Sequence, residues 1–220
     1  MKQIIQLSLI FFLFTNCSRS TFHSAYLSPA FEQSRIEDKI LAILPFDVVN
    51  HYKRIPKGET IETLKLTEEM DAYMMQRDLY RYCLRVMSKD RYTVDFQHVN
   101  ETNRILIEKG IDYRQIKKIN RKELAEILGV DAVVSGEVHQ LRNRWNPFMI
   151  RGLFKSTRCK GKKVDARIAI HNREQKRPVW KYKDGVSFAT EDSVLSLSRR
   201  LLRTVADRIP YQKDSATARR

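Results

Sequence analysis

Apolar and polar residues recur along this chain with two different periods, and the clearest case lies near its middle. Residues 121–128 place their apolar side chains on one helical face, and Asn120 and Glu123 are suited to cap the helix start. Gly129 readily adopts the left-handed backbone conformation that ends helices. The next stretch, 130–138, is rich in valine, which is typical of a buried strand. The pattern therefore predicts a helix that turns directly into a central strand.

The same two periods predict the rest of the secondary structure. Strands are expected at 39–46, 92–96, 131–141, 163–171 and 179–188. Helices are expected at 67–88 (capped by Thr67), 102–110, 121–128 and 190–209, with a long polar loop at 47–66 and a connector or helical turn at 111–119. Parallel crossovers come first in this order and an antiparallel hairpin comes last. We therefore expect an α/β fold, in which a mixed sheet of about five strands carries the helices on its faces.

The first residues are typical of a leader for export. A positive start at 1–3 precedes an apolar run at 4–14, which is shorter than the ~20 residues that a membrane-spanning helix needs. Phe14-Thr15-Asn16-Cys17 then resembles the signal of bacterial lipoproteins, in which cleavage before a cysteine leaves a residue that carries diacylglycerol and a fatty acyl chain. Phe14 and Asn16 are not the usual residues of that motif. Ordinary export with Cys17 as a bystander therefore stays an open alternative.

The leader determines the expected organisation and location. We expect a signal peptide at 1–16, a lipidated tether at 17–37, a single α/β domain at 38–210 and a disordered basic tail at 211–220. Burial of acyl chains contributes ~0.8 kcal/mol per CH₂, so a multiply acylated Cys17 would hold the protein on a bilayer. This implies a lipid-anchored protein of the bacterial cell envelope, at the outer membrane and facing the periplasm. No cofactor is expected besides these covalent lipid groups.

The chain is strongly basic, with a formal net charge of +15 and a pI near 9.9. Such a charge attracts anionic lipid, lipopolysaccharide, peptidoglycan or nucleic acid, and the expected export argues against nucleic acid. Residues 142–163 have no acidic residue and intersperse cations with aromatic side chains, which suits an anionic membrane surface. The residues expected to contact a membrane or a partner are Arg144, Trp145, Phe148, Arg151, Phe154, Lys155 and Arg158. A solvated loop whose aromatic residues pack back on the domain is the alternative.

The three cysteines have no spacing that is typical of a zinc or thioredoxin-type site. Cys17 is the expected lipid attachment point. Cys83 and Cys159 could join as a disulfide in an oxidising envelope, and a buried free thiol at Cys83 is the alternative.

Residues with catalytic or metal-binding chemistry form no motif in this sequence. His98, His139 and His171 are scattered and do not form the paired helical spacing of a zinc site. Gly129 and Gly136 are not followed by the residues of a phosphate-binding loop. Asp131 is expected to stabilise the turn after the helix, with partner binding as the less favoured role. We therefore predict no catalytic residue and no metal ligand.

Three stretches together resemble one group of envelope lipoproteins. They are Ala42-Ile-Leu-Pro-Phe46, the helix-to-strand unit at 123–136, and Val179-Trp-Lys-Tyr182. The first two resemble the fold shared by the curli-secretion (CsgG) lipoproteins, the amino-terminal domain of TolB and the penicillin-binding-protein activator LpoB. The third is closer to lipoproteins of that superfamily without an assigned function.

Members of this group differ in function, so the resemblance does not determine which of their functions this domain has. It implies a non-enzymatic protein with a scaffolding, assembly or partner-regulating function, anchored to the lipid bilayer through Cys17 and in contact with anionic lipid, peptidoglycan or an envelope protein. A subunit of an envelope secretion or transport complex, as a homo-oligomer, is the alternative. An enzyme of unknown activity comes third.

Overall fold

A seven-stranded mixed sheet organises the residues that the computed structural model describes, which are 21–52, 55, 57–142, 162–188 and 194–213. The strands are β1 (Thr21–Leu27), β2 (Ile40–Ile43), β3 (Asp47–Tyr52), β4 (Asp95–Phe96), β5 (Ala132–Arg142), β6 (Lys162–Asn172) and β7 (Trp180–Phe188). The helices are α1 (Phe31–Glu37), α2 (Ile61–Met87), α3 (Val99–Glu108), α4 (Tyr113–Ile116), α5 (Arg121–Leu128) and α6 (Val194–Ala206). No helix within these ranges is both long and apolar enough to cross a membrane.

The topology confirms the predicted fold class. The strand order is β1-β7-β6-β5-β2-β4, and β3 also pairs with β5. Pairs β2–β4, β2–β5 and β3–β5 are parallel, whereas β5–β6, β6–β7 and β7–β1 are antiparallel. The parallel crossovers therefore come early in the chain and the β6–β7 hairpin late, as expected. The strand count exceeds the expected number because the sequence pattern did not reveal β1 and β3.

A one-residue bulge separates β2 from β3. Both strands lie along β5, but the register shifts by one residue between them, so residues 44–46 face only 135–136. Pro45 sits in this bulge, where its missing N–H costs no ladder bond. The bulge turns the fully buried Phe46 onto Gly136, where an added Cβ would lie 2.3 Å from two carbon atoms of the ring. Only glycine therefore fits position 136 without movement of the ring.

The two faces of the sheet are covered to different extents. On one face, α2 and α6 pack on side chains from strands across the sheet, including Ile43, Val134 and Ile168. On the other face, α3, α4 and α5 form a smaller layer against Ala42 and Val133. That second layer covers the β2–β5 part, and among the described residues no helix covers the β6, β7 and β1 part of this face. The smaller core consists of Ala42, Leu44, Leu106, Ile111, Ile116, Leu124, Ala125, Leu128, Val130 and Val133.

The predicted helix-to-strand unit is confirmed, except that among the described residues Glu123 makes no capping bond back to Asn120. α5 spans Arg121–Leu128, and the Asn120 side chain accepts a hydrogen bond from the N–H of Lys122. Gly129 ends the helix with a φ of 67°, in the left-handed region. β5 follows from Ala132, with Val133 and Val134 fully buried. The local signals of cap, glycine stop and valine run were therefore sufficient here.

The predicted tether at 17–37 is wrong over residues 21–37. β1 pairs with β7 from Thr21, opposite Val186, to Leu27, opposite Trp180. α1 follows and buries Phe31. β1 is an edge strand whose side chains from 23 to 27 are exposed, so it lacks the apolar alternation that predicts a strand. The domain therefore begins closer to Cys17 than expected, and Cys17 itself lies outside the described residues.

The predicted loop at 47–66 is also wrong, because it contains β3 and the first turn of α2. The helix is capped by Thr60, whose hydroxyl accepts from the N–H of Thr63 at 3.2 Å in a capping box. Thr67, the predicted cap, lies inside the helix, and its hydroxyl donates to the Thr63 carbonyl at 2.9 Å. The first turns of α2 are polar and largely exposed, so no apolar period marks them. In the same way, α3 begins at Val99 under a His98 cap, before the predicted start at 102.

The predicted disordered tail at 211–220 is wrong for residues 211–213. The carbonyl of Tyr211 accepts from the N–H of Thr93 at 2.8 Å, and the N–H of Lys213 donates to the Arg91 carbonyl at 2.8 Å. The Tyr211 side chain is fully buried and its ring contacts Phe31 edge to face. The end of the domain therefore returns to the core beside α1, while 214–220 lie outside the described residues.

A buried carboxylate ties three distant parts of the chain together. Asp38 is only 2% exposed, and its N–H closes α1 by donating to the Ser34 carbonyl at 2.8 Å. Its carboxylate accepts hydrogen bonds from the Asn172 amide at 2.5 Å and from the Tyr211 hydroxyl. Burial raises the pKa of Asp38 above its ordinary value, although these two bonds oppose the shift. This cluster joins α1, the end of β6 and the carboxyl-terminal segment.

Candidate functional site

The open part of the second sheet face forms a groove of about 760 Å³. Its floor comes from β1, β5, β6 and β7, and its wall from the start of β3, the end of α4 and the start of α5. Side chains alternate across a strand, so the residues that face the groove recur at every second position. The lining includes Ser24, Tyr26, Asp47, Lys117, Arg121, Ser135, Glu137, Arg167, Ala169, His171, Lys181 and Lys183.

The charged side chains of this groove are mainly cationic, with five lysines and arginines against two carboxylates. Both carboxylates already have partners. Lys117 Nζ lies 3.2 Å from Asp47 Oδ1, and Arg167 Nη1 lies 3.3 Å from Glu137 Oε2. Among the described residues, no carboxylate lies within ion-pair distance of Arg121 or Lys181, although the charge of Asp47 acts on Arg121 from further away. The groove therefore offers uncompensated positive charge on a concave surface, which attracts anions.

Arg121 is held in place by backbone carbonyls. As the first residue of α5, it donates from Nη1 to the carbonyl of Ile116 at 2.6 Å and to that of Ile119 at 3.3 Å. Its side chain is partly buried, and this burial lowers its pKa. Within the described ranges, Nε and Nη2 have no hydrogen-bond partner. These bonds hold the guanidinium at the wall of the groove and leave donors for a ligand.

His171 lies near the end of β6, beside this arginine. Partial burial, together with the positive charges of Arg121 and Lys181, lowers its pKa to about 4. Lys181 faces Tyr26 on the neighbouring strand, with its Nζ 6.0 Å from the ring centroid. At neutral pH the imidazole is therefore uncharged, between two cations.

A second group of polar side chains lies further along β5. His139 shares a hydrogen bond with Glu137 at 2.7 Å and another with His51 of β3 at 3.0 Å. The bond from His139 is the main reason why the pKa of Glu137 is lowered, and Arg167 adds to the effect. In the part of the chain that the structure describes, no group of three or more His, Cys, Asp or Glu is placed to hold a metal ion.

Asp131 stabilises the sheet rather than its own turn. Its Oδ2 accepts from the N–H groups of Lys39 at 2.8 Å and Ile40 at 3.0 Å, at the start of β2. The N–H of Asp131 donates back to the Ile40 carbonyl at 3.0 Å. The residue therefore joins the end of α5 to a neighbouring strand, which is a structural role of longer range than the predicted one.

Cys83 lies on α2, in the core of the opposite face. It has no solvent exposure and no cysteine partner among the described residues, and burial raises its pKa far above the ordinary value. Its pairing with Cys159 stays a prediction, because Cys159 lies outside the described residues. The same is true of Cys17 and of Arg144, Trp145, Phe148, Arg151, Phe154, Lys155 and Arg158.

The groove residues were not predicted as a site, because they come from parts of the chain that are distant in sequence. The only local signal is the spacing of Lys181 and Lys183, two residues apart on one face of β7. Arg121 and His171 enter the site through the packing of α5 beside β6. Two lysines at alternate positions of a predicted strand therefore indicated a positively charged sheet face, but not the groove itself.

No family model matches this chain, and no curated protein sequence matches it. Several solved structures are similar. One is a PelC dodecamer from Paraburkholderia phytofirmans, with 12% identity and a TM-score of 0.41, over 84% of this chain and 94% of that chain. Another is lipoprotein GNA1162 from Neisseria meningitidis, with 12% identity and a TM-score of 0.39, over 77% and 95%. The LpoB C-terminal domain from Salmonella enterica has 9% identity and a TM-score of 0.36, over 69% and 84%. Similarity of this degree says nothing about ligand or partner.

Proposed function

We propose that this protein is a lipid-anchored, non-enzymatic scaffold of the bacterial envelope, and that the open face of its sheet binds an acidic segment of an envelope protein. The observation that carries this function is the groove, in which cationic side chains outnumber carboxylates and both carboxylates are already ion-paired. Complementary charge both speeds association and selects among partners. A role in assembly or in partner regulation fits such a surface.

The shape of the groove favours a peptide over a flat membrane. The groove is concave and is walled on one side by the end of α4 and the start of α5, so a planar bilayer fits it less well than an extended chain does. An extended peptide can lie along the strands and place every second side chain on the floor of the groove. Among the groove residues, neither Ser24 nor Ser135 is hydrogen-bonded to a histidine, so the activated pair of a nucleophilic enzyme is not formed there.

Charge reversal at the floor of the groove should weaken binding of an acidic peptide. In an unlipidated form of the protein, we expect Lys181→Glu with Lys183→Glu to weaken binding of a labelled polyglutamate peptide about tenfold at low salt. Each cation at such an exposed site contributes roughly 0.5–1 kcal/mol, and about 1.4 kcal/mol corresponds to a tenfold change. Fluorescence anisotropy at several salt concentrations measures the change, since added salt screens the attraction.

A matched control changes the same total charge elsewhere. Lys89 and Lys109 are exposed and lie outside the groove lining, so their double replacement by glutamate should weaken binding less than about twofold. Equal losses in the two double variants would show that net charge, not the groove, attracts the peptide. Unchanged affinity in the groove variant would remove the proposed function.

The topology also suggests how the domain would sit on the membrane. Thr21 starts β1 opposite Val186, and only residues 18–20 separate it from Cys17. Residues 142–163 connect β5 to β6 at the same end of the sheet, because Leu141 pairs with Lys163 and Lys162 pairs with Phe188. The lipid attachment point and the basic aromatic segment are therefore joined to the same end of the sheet. We infer that this end faces the bilayer.

The anchor has a direct test. A Cys17→Ala variant should lose incorporation of labelled palmitate and move from the membrane fraction to the soluble fraction, because no acyl chain would remain to hold it. Residual binding of this form to anionic vesicles should fall further when Arg151, Lys155 and Arg158 are changed to glutamate. Fractionation and palmitate labelling that match the parent would contradict the anchor, and vesicle binding unaffected by the triple change would contradict contact through the loop.

A further inference from the structure

The charges around one end of the groove are uneven. Lys117 and Arg167 are ion-paired with Asp47 and Glu137, whereas Arg121 and Lys181 have no carboxylate partner among the described residues. His171 lines the groove with these last two, both of which are close enough for their charges to act on its partly buried ring. The arrangement concentrates positive potential at one point of the groove.

The three side chains also have complementary donors. Arg121 is fixed by two carbonyls and keeps Nε and Nη2 for a ligand, and a guanidinium fork matches a carboxylate in geometry. Lys181 supplies a second cation from the strand next to β6. A protonated imidazole would supply a third charged donor.

We propose that Arg121, His171 and Lys181 form a pocket for one carboxylate group, and that at mildly acidic pH the carboxylate enters together with a proton taken up from solvent by His171. In the cell the pocket would hold one carboxylate of the acidic segment, so the identity of its natural ligand rests on the proposed function. It can nevertheless be tested alone with a small carboxylate.

The coupling follows from the charges that face His171. Two charges act on the ring directly, Arg121 on α5 and Lys181 on the neighbouring strand β7. The other charged side chains that line the same groove are Lys117, Arg167, Lys183, Asp47 and Glu137. In the empty pocket, burial and the two unpaired cations hold the pKa of His171 at about 4. A carboxylate between these groups offsets one of the two positive charges and can accept a hydrogen bond from the protonated ring, so protonation of the ring becomes less unfavourable. By linkage, the carboxylate then binds more tightly as the pH falls toward the pKa of the occupied pocket.

The test is an NMR titration of the His171 ring in the unlipidated protein, with and without saturating acetate at constant ionic strength. Acetate should raise the pKa of His171 by at least about one unit, toward the ordinary value near 6.5, which is a tenfold or greater gain in proton affinity. Lys181→Met should raise the pKa in the absence of acetate and remove most of the response to it. Lys183→Met, two residues along the same face, should leave both nearly unchanged.

Three results would overturn the pocket: no response of His171 to acetate, an equal response in the Lys181→Met variant, or a response to inorganic phosphate without one to acetate. Failure of the pocket and failure of the proposed function are distinguishable. Polyglutamate binding without an acetate response would remove the pocket and keep the groove. An acetate response without polyglutamate binding would keep the pocket and remove the acidic segment as its source.

Discussion

Replacement of Asp38 by alanine is expected to lower the free energy of unfolding by about 3 kcal/mol, because it leaves two buried donors without acceptors. The Tyr211 hydroxyl is fully buried and the Asn172 amide nearly so, and both donate to the Asp38 carboxylate. An unsatisfied buried polar group costs about 1–3 kcal/mol, and two are created at once. Chemical denaturation at neutral pH measures the loss.

Asp38→Asn is the matched control, since asparagine has nearly the same volume and keeps one carbonyl acceptor for Tyr211. We expect a smaller loss than for alanine. The two proteins should also differ in pH dependence. The pKa of Asp38 is raised in the folded state, so the folded protein binds this proton more tightly than the unfolded chain does. The resulting contribution to the free energy of unfolding is fully present below the ordinary pKa of 3.8 and is lost as the pH rises through the raised pKa. The wild type should therefore gain stability relative to Asp38→Asn on acidification. Equal stability of the alanine variant and the wild type would contradict this role of the cluster.

The second large effect is expected at Gly136. A Cβ there would lie 2.3 Å from carbon atoms of the Phe46 ring, which is fully buried below the bulge. Gly136→Val should therefore lower the free energy of unfolding by about 3 kcal/mol, the upper part of the range for overpacked cores. Urea denaturation of the purified domain measures it.

Two comparisons separate overpacking from other causes at this position. Ser135→Val places the same side chain one residue earlier, on the open face of β5, where we expect a change below about 1 kcal/mol. In a Phe46→Ala background, the space freed by the ring should accept the valine, so Gly136→Val should cost much less there than in the wild type. Additive losses in the double variant would show that the ring is not the obstacle.

The elements that could be predicted from sequence are those whose side chains carry a period. β5, β6 and β7 are buried on at least one face, and α5 has a cap, an apolar stripe and a glycine stop. β1 and the first turns of α2 carry no such period, because most of their side chains are in solvent. β1 depends on a partner far along the chain, β7, whereas the start of α2 is set locally by the Thr60 capping box.

The candidate site was beyond prediction for a related reason. Its cations are separated by up to dozens of residues, and each is ordinary in its local context. Arg121 is the first residue of a helix, and His171 is one of three histidines that showed no spacing of interest. Their proximity depends on the packing of α5 beside β6, a tertiary relationship that no local pattern encodes. The buried carboxylate of Asp38 was missed in the same way, since its partners are Asn172 and Tyr211.

In the proposed anchored form, the length of the strands would set the height of the pocket above the bilayer. β1 begins at the end of the sheet to which Cys17 is joined, whereas His171 and Lys181 lie at the opposite end, next to the pairing of Ile170 with Trp180. A strand rises about 3.3 Å per residue, so the nine-residue step from Lys162 to His171 of β6 corresponds to about 30 Å. With so short a linker at 18–20, an anchored copy would present its cationic pocket at a nearly fixed distance from the lipid headgroups. A partner protein anchored in the same membrane would then need a linker or domain about that long to reach the pocket.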